Sequence, residues 1–333
     1  MRVVWLTGFG GPEVLVAGEA PDPVAGPGQA LVEVRFANVT FVETQFRANG
    51  SGPFAGRLPM VPGNGVGGVV SSVGAGADPG LVGRQVVSGT GGSGGYAERV
   101  AVDAAGLLPV PGGLALDAAV ALLADGRTAM MLVAAAELGG GERVLVEAAA
   151  GGVGTLLVQL ARSAGATVVA VAGGARKVAL ARDLGAAVAV DYLRPDWDRR
   201  VRDAVGGVDV VFDGVGGGVA QTAFELLDRG GRMLSFGLAS GSWAQIPEPD
   251  AAARGVRLVR PRPEPAQLRS FTSSALAEGA AGRLRPVIGQ RFPLERAADA
   301  HAAIQSRSTV GKTLLHSEAA GQIAAFGVGG GKS

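Results

Sequence analysis

The sequence predicts an α/β protein: a doubly wound parallel sheet in the middle of the chain and a β-rich domain built from its two ends. Three observations predict it. An apolar run, Val144-Leu145-Val146, enters a glycine turn, Ala150-Gly151-Gly152-Val153-Gly154, and a pattern of helical period leaves it. Short apolar strands then alternate with helical segments up to about residue 260. Before about residue 115 the texture differs, with short strands separated by dense Pro and Gly signals.

The first region reads as strands at Val3–Leu6, Ala30–Phe36, Gly68–Val73 and Gln85–Val87, separated by Pro21, Pro23, Pro27, Pro53, Pro59, Pro62 and many glycines. Such spacing suggests an antiparallel barrel or sandwich, and Pro109–Gly113 reads as its exit. Ala115–Leu138 is helical in pattern, with a break expected at Asp125-Gly126-Arg127-Thr128.

After the glycine turn, Leu156, Leu157, Leu160 and Ala161 recur at the spacing of one helix face. Strand, glycine turn and helix together are the context that a dinucleotide-binding fingerprint requires. Gly151 and Gly152 let the backbone approach a pyrophosphate, and Gly154 lets the helix pack on the strand. The helix's free N–H groups and positive dipole end then face the phosphates. Glycine is 56 of 333 residues, so about one or two chance matches to G-x-G-x-x-G are expected and context must decide. Gly89–Gly94 is a strict match, but a strand, Tyr96–Val102, follows it; it reads as a decoy. The turn with the right neighbours breaks the pattern at its first position, where Ala149 stands.

Ala166–Ala172 reads as the second strand, Lys177–Leu184 as a helix stopped by Gly185, and Ala187–Val190, Val208–Phe212, Arg232–Phe236 and Val256–Val259 as the remaining strands. Pro261, Pro263 and Pro265 end the alternation. A helix at Glu264–Ala281, a strand at Pro286–Ile288, a helix at Leu294–Gln305 and a strand at Thr313–Leu315 read as the chain returning to the first domain. The expected domains are therefore 1–115 with 261–333, and 116–260. The tail from Ser317 is expected to be loose; its Gly-Lys-Ser ending fails as a phosphate loop because Phe326 holds the required glycine position.

Hydrophobic residues at 47% and charged residues at 18% suit a globular chain with two full cores. A net charge of +1 without a Lys/Arg cluster argues against a nucleic-acid surface. No apolar run reaches membrane-spanning length and no signal-peptide pattern opens the chain, so a cytoplasmic location with no membrane partner is expected. There is no cysteine, and His301 and His316 are the only imidazoles; zinc needs about four N, S or O ligands, so no metal site is expected.

The order of domains, with Ala148–Gly154, Pro62-Gly63, Gly68-Val69-Val70, Gly94–Glu98, Gly126–Ala129, Asp213–Gly217, Gly230–Arg232 and Gly311-Lys312, resembles the medium-chain dehydrogenase/reductase superfamily. The Ala-Ala-Gly-Gly-Val-Gly turn and the missing zinc ligands make it similar to the zinc-free, zeta-crystallin-like quinone oxidoreductase branch. The resemblance implies a Rossmann domain and a GroES-like β-barrel-type domain. It also implies departures: Thr40 stands where relatives carry an Asn that lines the nicotinamide pocket, Glu43 where they carry Asp, and Asn64-Gly65 where an acid follows Pro-Gly.

Cofactor choice is read after the second strand. NAD enzymes place an acid there for the ribose 2′-hydroxyl. Here Ala172-Gly173-Gly174-Ala175-Arg176-Lys177 carries none, and Arg and Lys would attract a 2′-phosphate. The resemblance adds Lys177, Tyr192 and Arg307 as 2′-phosphate contacts. An exposed first-turn pair at Arg176-Lys177 and ordinary packing at Tyr192 are the plain alternatives. Thr128 matches the threonine set against the nicotinamide in the family, and could equally cap a helix after Gly126-Arg127. The candidate cofactor-binding set is Thr128, Gly151, Gly152, Val153, Gly154, Gly173, Arg176, Lys177, Tyr192, Gly216, Phe236, Gly237 and Arg307; Thr128 and Thr40 are candidates for positioning at the reaction centre. Tyr96 and His301 read as architecture, and Glu43 with Arg47 as surface charges rather than an ion pair at a cleft. No proton donor stands out, so solvent is expected to protonate the product.

These readings imply an NADPH-dependent hydride transfer to a quinone or α,β-unsaturated carbonyl, in a cleft between the domains, by a homodimer joined through its last sheet strand. An enoyl-thioester reductase and a non-enzymatic NADPH-binding protein are the competing readings.

Overall fold

The computed structural model describes residues 1–317. The chain opens with β1 (Arg2–Leu6) and β2 (Leu15–Glu19), an antiparallel pair. β3 (Gln29–Val39), α1 (Phe41–Asn49), β4 (Gly65–Val73), β5 (Gln85–Gly89), β6 (Arg99–Asp103) and the short β7 (Leu108–Pro109) follow. α2 (Leu116–Ala136) leads into the alternation: β8 (Arg143–Val146), α3 (Gly152–Ser163), β9 (Thr167–Ala172), α4 (Ala175–Asp183), β10 (Val188–Asp191), α5 (Trp197–Val205), β11 (Val208–Asp213), α6 (Gly217–Leu226), β12 (Leu227–Ser235), α7 (Glu248–Ala253) and β13 (Arg257–Val259). α8 (Pro265–Ala280), β14 (Ile288–Pro293), α9 (Ala297–Gln305) and β15 (Lys312–His316) complete the described chain.

The described residues divide into two compact units, the first holding Met1–Ala124, Leu276–Arg283 and 287–317, the second Asp125–Ala275 with Leu284–Pro286. In the second unit six strands form one parallel sheet in the order β10-β9-β8-β11-β12-β13. Its strands read as near-continuous Val runs because helices cover both faces; Val144–Val146, Val168–Ala172 and Val210–Phe212 are all buried. Strand order reverses between β8 and β11, which makes their carboxyl ends the switch point of a Rossmann sheet.

In the first unit β14-β15-β3-β4-β5-β7 form a seven-stranded sheet, with β6 on β3. β3 is its spine, and residues of β3, β4, β5 and β6 turn inward onto one core with Tyr96, Phe46 and Leu294. The chain does return here, as β14 and β15 lie beside β3.

Three local readings change. α2 runs unbroken through Asp125–Thr128, so Thr128 is mid-helix and cannot be an N-cap. One interior Gly costs only about 1 kcal/mol, which the burial of Ala119–Leu123, Ala129 and Leu132 outweighs. The unbroken α2 is also long and apolar enough to cross a membrane by length and composition, contrary to the expectation of no such run; half of its apolar window is buried inside the protein, as in a core helix. Third, α1 was not anticipated. Thr40 caps it, with Glu43 completing a capping box, and Gly50 closes it at φ +77°. The decoy at Gly89–Gly94 is a turn with left-handed Gly91, Gly92 and Gly94, and no helix follows. The Gly-Lys-Ser ending lies outside the described residues.

Candidate functional site

The glycine turn in the second unit is built by steric necessity. After β8 the chain passes Glu147 and then Ala148, held in the left-handed region at φ +47°. The Gly151 amide donates back to the Ala148 carbonyl at 2.8 Å, and α3 begins at Gly152. A Cβ on Gly154 would lie 2.2 Å from the Ala148 carbonyl oxygen and 2.8 Å from the Ala149 Cα. Only glycine lets α3 sit this close to the turn. A Cβ on Gly152 would lie 1.9 Å from Asp125 Oδ2, so a carboxylate of α2 rests against the amino end of α3. The cap residue, Gly151, has no side chain to bond the first-turn amides of Gly152, Val153 and Gly154, which leaves them for an acceptor from outside the turn. Thr128 lies one turn along α2 from Asp125, on the same face.

The neighbouring strand ends supply the other candidates. Gly174, at φ +88°, starts α4 without a side-chain cap. A Cβ on Gly173 would touch the Tyr192 ring at 3.4 Å, which brings those two together. Arg176 is exposed and Lys177 half-buried in the first turn of α4. An acid does stand at this turn, from the next strand: Asp191 Oδ1 accepts the amides of Gly174 at 2.9 Å and Leu193 at 3.0 Å. Beyond β11, Gly216 starts α6 at φ +73°, and its amide donates to Asp213 Oδ1 at 2.8 Å. Phe236 and Gly237 donate to the Asp213 carbonyl, and a Cβ on Gly237 would lie 2.7 Å from the Gly214 carbonyl oxygen. Thr128, Gly151–Gly154, Gly173, Arg176, Lys177, Tyr192, Gly216, Phe236 and Gly237 thus all belong to the second unit, and apart from Thr128 they follow the carboxyl ends of β8 to β12.

Thr40 and Arg307 belong to the first unit. The Thr40 amide and hydroxyl both donate to Glu43 Oε2, at 2.6 and 2.7 Å. Arg307 follows α9 in the left-handed region, its guanidinium 4.7 Å from the centre of the Phe41 ring. Glu43 and Arg47 are not surface charges. Both are buried: Glu43 also accepts the Asn64 amide at 2.9 Å, and Arg47 reaches the Gly10 carbonyl and the Gln305 side chain. α1 turns them inward, and sequence reading missed this because it missed α1.

Tyr96 and His301 are fully buried, with Tyr96 Oη 2.9 Å from His301 Nε2. Burial, then the Arg47 charge, holds the imidazole down to about 3, so it is neutral. Burial, reinforced by the Glu43 charge, pushes the phenol far up. Burial likewise raises Glu43. His301 Nδ1 and Arg47 Nε are buried without a partner among the described residues, so the network is only partly satisfied; its full burial still suits architecture.

Known proteins agree with this geometry. The model of the alcohol dehydrogenase GroES-like domain matches residues 26–112, and that of the zinc-binding dehydrogenase matches residues 152–261. A quinone oxidoreductase of Pseudomonas aeruginosa is 32% identical over 92% of this chain and 97% of its own. A 2-haloacrylate reductase of Burkholderia is 32% identical over 92% of this chain and 96% of its own. The solved quinone oxidoreductase of Escherichia coli, complexed with NADPH, superposes at a TM-score of 0.87 with 28% identity, over 95% of this chain and 100% of that one. The chain belongs to the medium-chain dehydrogenase/reductase superfamily, in its quinone oxidoreductase branch.

Proposed function

We propose that the protein is an NADPH-dependent oxidoreductase that delivers a hydride to a quinone or an α,β-unsaturated carbonyl without zinc. The observation that carries this reading is the uncapped amino end of α3, entered by a turn too tight for any residue but glycine at position 154. Those residues fit a pyrophosphate: the amides of Gly152, Val153 and Gly154 are donors, and Gly151 leaves bare backbone beside them. When bound, NADPH supplies the hydride. The chain's own residues bind and orient. Gly216, Phe236 and Gly237 shape the wall beyond β11. Gly173 and Tyr192 border the adenosine end, where Arg176 and Lys177 offer charge to a 2′-phosphate. At that turn one oxygen of Asp191, Oδ1, is taken by two amides. Thr128 positions the nicotinamide. Thr40 is assigned to the nicotinamide and Arg307 to the 2′-phosphate.

Ligand chemistry supports a zinc-free reaction: the sequence has no cysteine, and His301 Nε2 is taken by Tyr96. Without a Lewis acid to stabilise an alkoxide, an acceptor that is already electron-poor needs the least assistance. The relationship to quinone oxidoreductases and to a 2-haloacrylate reductase, which also names an electron-poor alkene, supports the same class. No buried acid is assigned as proton donor; solvent protonates the reduced acceptor. A cytoplasmic homodimer completes the proposal: β13 pairs only with β12 among the described strands, and Leu258 on it is exposed. Light scattering giving a monomer mass at micromolar concentration would remove the dimer.

The test is NADPH consumption with a small quinone, a conjugated enone and crotonyl-coenzyme A. Turnover with the first two supports the proposal. Turnover with the thioester alone makes the protein an enoyl-thioester reductase, and binding without turnover makes it a non-enzymatic NADPH-binding protein.

A further inference from the structure

Two acids meet at the switch point. β8 and β11 pair in parallel with Val146 opposite Phe212, so Glu147 and Asp213 are the next residues across the same edge. Both are 0% exposed. Asp213 accepts the Gly216 amide at 2.8 Å and the Ser235 hydroxyl at 2.7 Å. Glu147 Oε2 accepts the Val215 amide at 3.1 Å, whereas Oε1 is buried without a donor. The side-chain partner of the Glu147 carboxyl is the Asp213 carboxyl, another acceptor. Two acceptors in contact form a hydrogen bond only if one of them carries a proton. Burial, then the Asp213 charge, drives Glu147 well above the usual carboxylate range. The groups that face it are the Asp213 carboxyl on β11 and the Gly214 and Val215 amides beyond it.

We propose that Glu147 and Asp213 share one proton, and that this O–H···O bridge fastens the glycine turn after β8 to the Gly214–Gly217 turn after β11 so that dinucleotide affinity depends on that proton. The proposal rests on the dinucleotide reading of the turn. Glu147 donates and Asp213 accepts, alongside the Gly216 amide and the Ser235 hydroxyl. Loss of the proton leaves two buried carboxylates in contact, which separates the two turns. It also adds negative charge at the sheet edge where an anionic pyrophosphate would lie. The sign follows from linkage: with the folded pKa raised, the bridge is present below that value and is lost as pH rises through it.

Glu147→Gln keeps the size and gives the position an N–H donor that cannot ionise. Fluorescence titration of NADPH should show the wild type weakening at least about fivefold from about pH 7 to about pH 9.5, and Glu147→Gln by less than about twofold. Every other group of the site is the same in both proteins, so only the Glu147 contribution separates the two profiles. A flat wild-type profile, or parallel loss in both proteins, overturns the proposal. Infrared spectroscopy of the wild type, without cofactor, supplies a reading that survives a misfolded variant: a buried protonated-carboxyl band at neutral pH that disappears on alkalinisation. Its absence overturns the shared proton. A wild type that shows the band but binds no dinucleotide at any pH overturns the dinucleotide reading and the affinity claim with it.

Discussion

Alanine at Gly154 and at Gly151 should separate packing from phosphate binding. At Gly154 the added methyl meets the Ala148 carbonyl oxygen at 2.2 Å and the Ala149 Cα at 2.8 Å, both backbone atoms that cannot rotate away. α3 must therefore retreat from the turn by about 1 Å to restore ordinary contact. Overpacking against backbone costs the upper part of the usual range, about 2–3 kcal/mol. The better helix propensity of Ala returns about 1 kcal/mol, leaving a net loss of about 1–2 kcal/mol. At about 2–4 °C per kcal/mol for a unit of this size, Tm should fall by about 2–8 °C. Gly151 differs. Its φ is −81°, which any residue adopts, and its Cβ would meet only the Ala148 carbonyl oxygen, at 3.2 Å. Gly151→Ala should thus hold Tm within about 2 °C, yet place a methyl beside the amides offered to the pyrophosphate and weaken NADPH binding at least about tenfold, a cost of about 1.4 kcal/mol. Calorimetry and fluorescence titration on the same samples read both quantities. A Gly154→Ala protein with unchanged Tm would refute the packing argument. A Gly151→Ala protein with unchanged NADPH affinity would refute the assignment of the turn to phosphate.

Other expectations follow from the same geometry. Lys177→Ala should raise the KM for NADPH and leave that for NADH nearly unchanged, because only the former carries a 2′-phosphate; equal changes in both would dismiss the assignment. Tyr96→Phe strips the hydroxyl from His301 and should cost about 1–3 kcal/mol of stability with little effect on kcat; loss of turnover in a folded, NADPH-binding variant would instead expose an acid that the account lacks. His301, held down to about 3, contributes stability above its ordinary value that is lost as pH falls from about 6.5 through about 3. Denaturation followed against pH should show this slope in the wild type and a shallower one in His301→Gln.

The alternation of strands and helices in the second unit was legible because its strands are buried on both faces and so stand out as short Val-rich runs between helical patterns; their order in the sheet was not. The glycine turn was legible from its neighbours, even though Ala149 breaks the motif. What escaped reading is long-range or depends on faint local signals. The capping box Thr40-Phe41-Val42-Glu43 was present in the sequence and would have announced α1. The burial of Glu43 and Arg47 follows from α1 and so was lost with it. The break expected in α2 failed because core packing outweighs one glycine. Asp191 could not be seen at the α4 turn, since a parallel strand pair brings it there across 17 residues. The Glu147–Asp213 pair depends on the register of β8 against β11, which no local pattern encodes. Of the proposed site, the Gly151–Gly154 turn is read from spacing and Thr128 from resemblance, and the surroundings of Thr128 came only from α2 being continuous.

The central claim is direct hydride transfer to an electron-poor acceptor. It is tested most directly with NADPH carrying deuterium at the transferable C4 position, a conjugated enone, and product analysis by mass spectrometry and NMR in ordinary water. The account predicts one deuterium on the β-carbon of the saturated product and a solvent proton on the α-carbon. A product free of deuterium, or no consumption of NADPH with either the enone or a quinone, would contradict it.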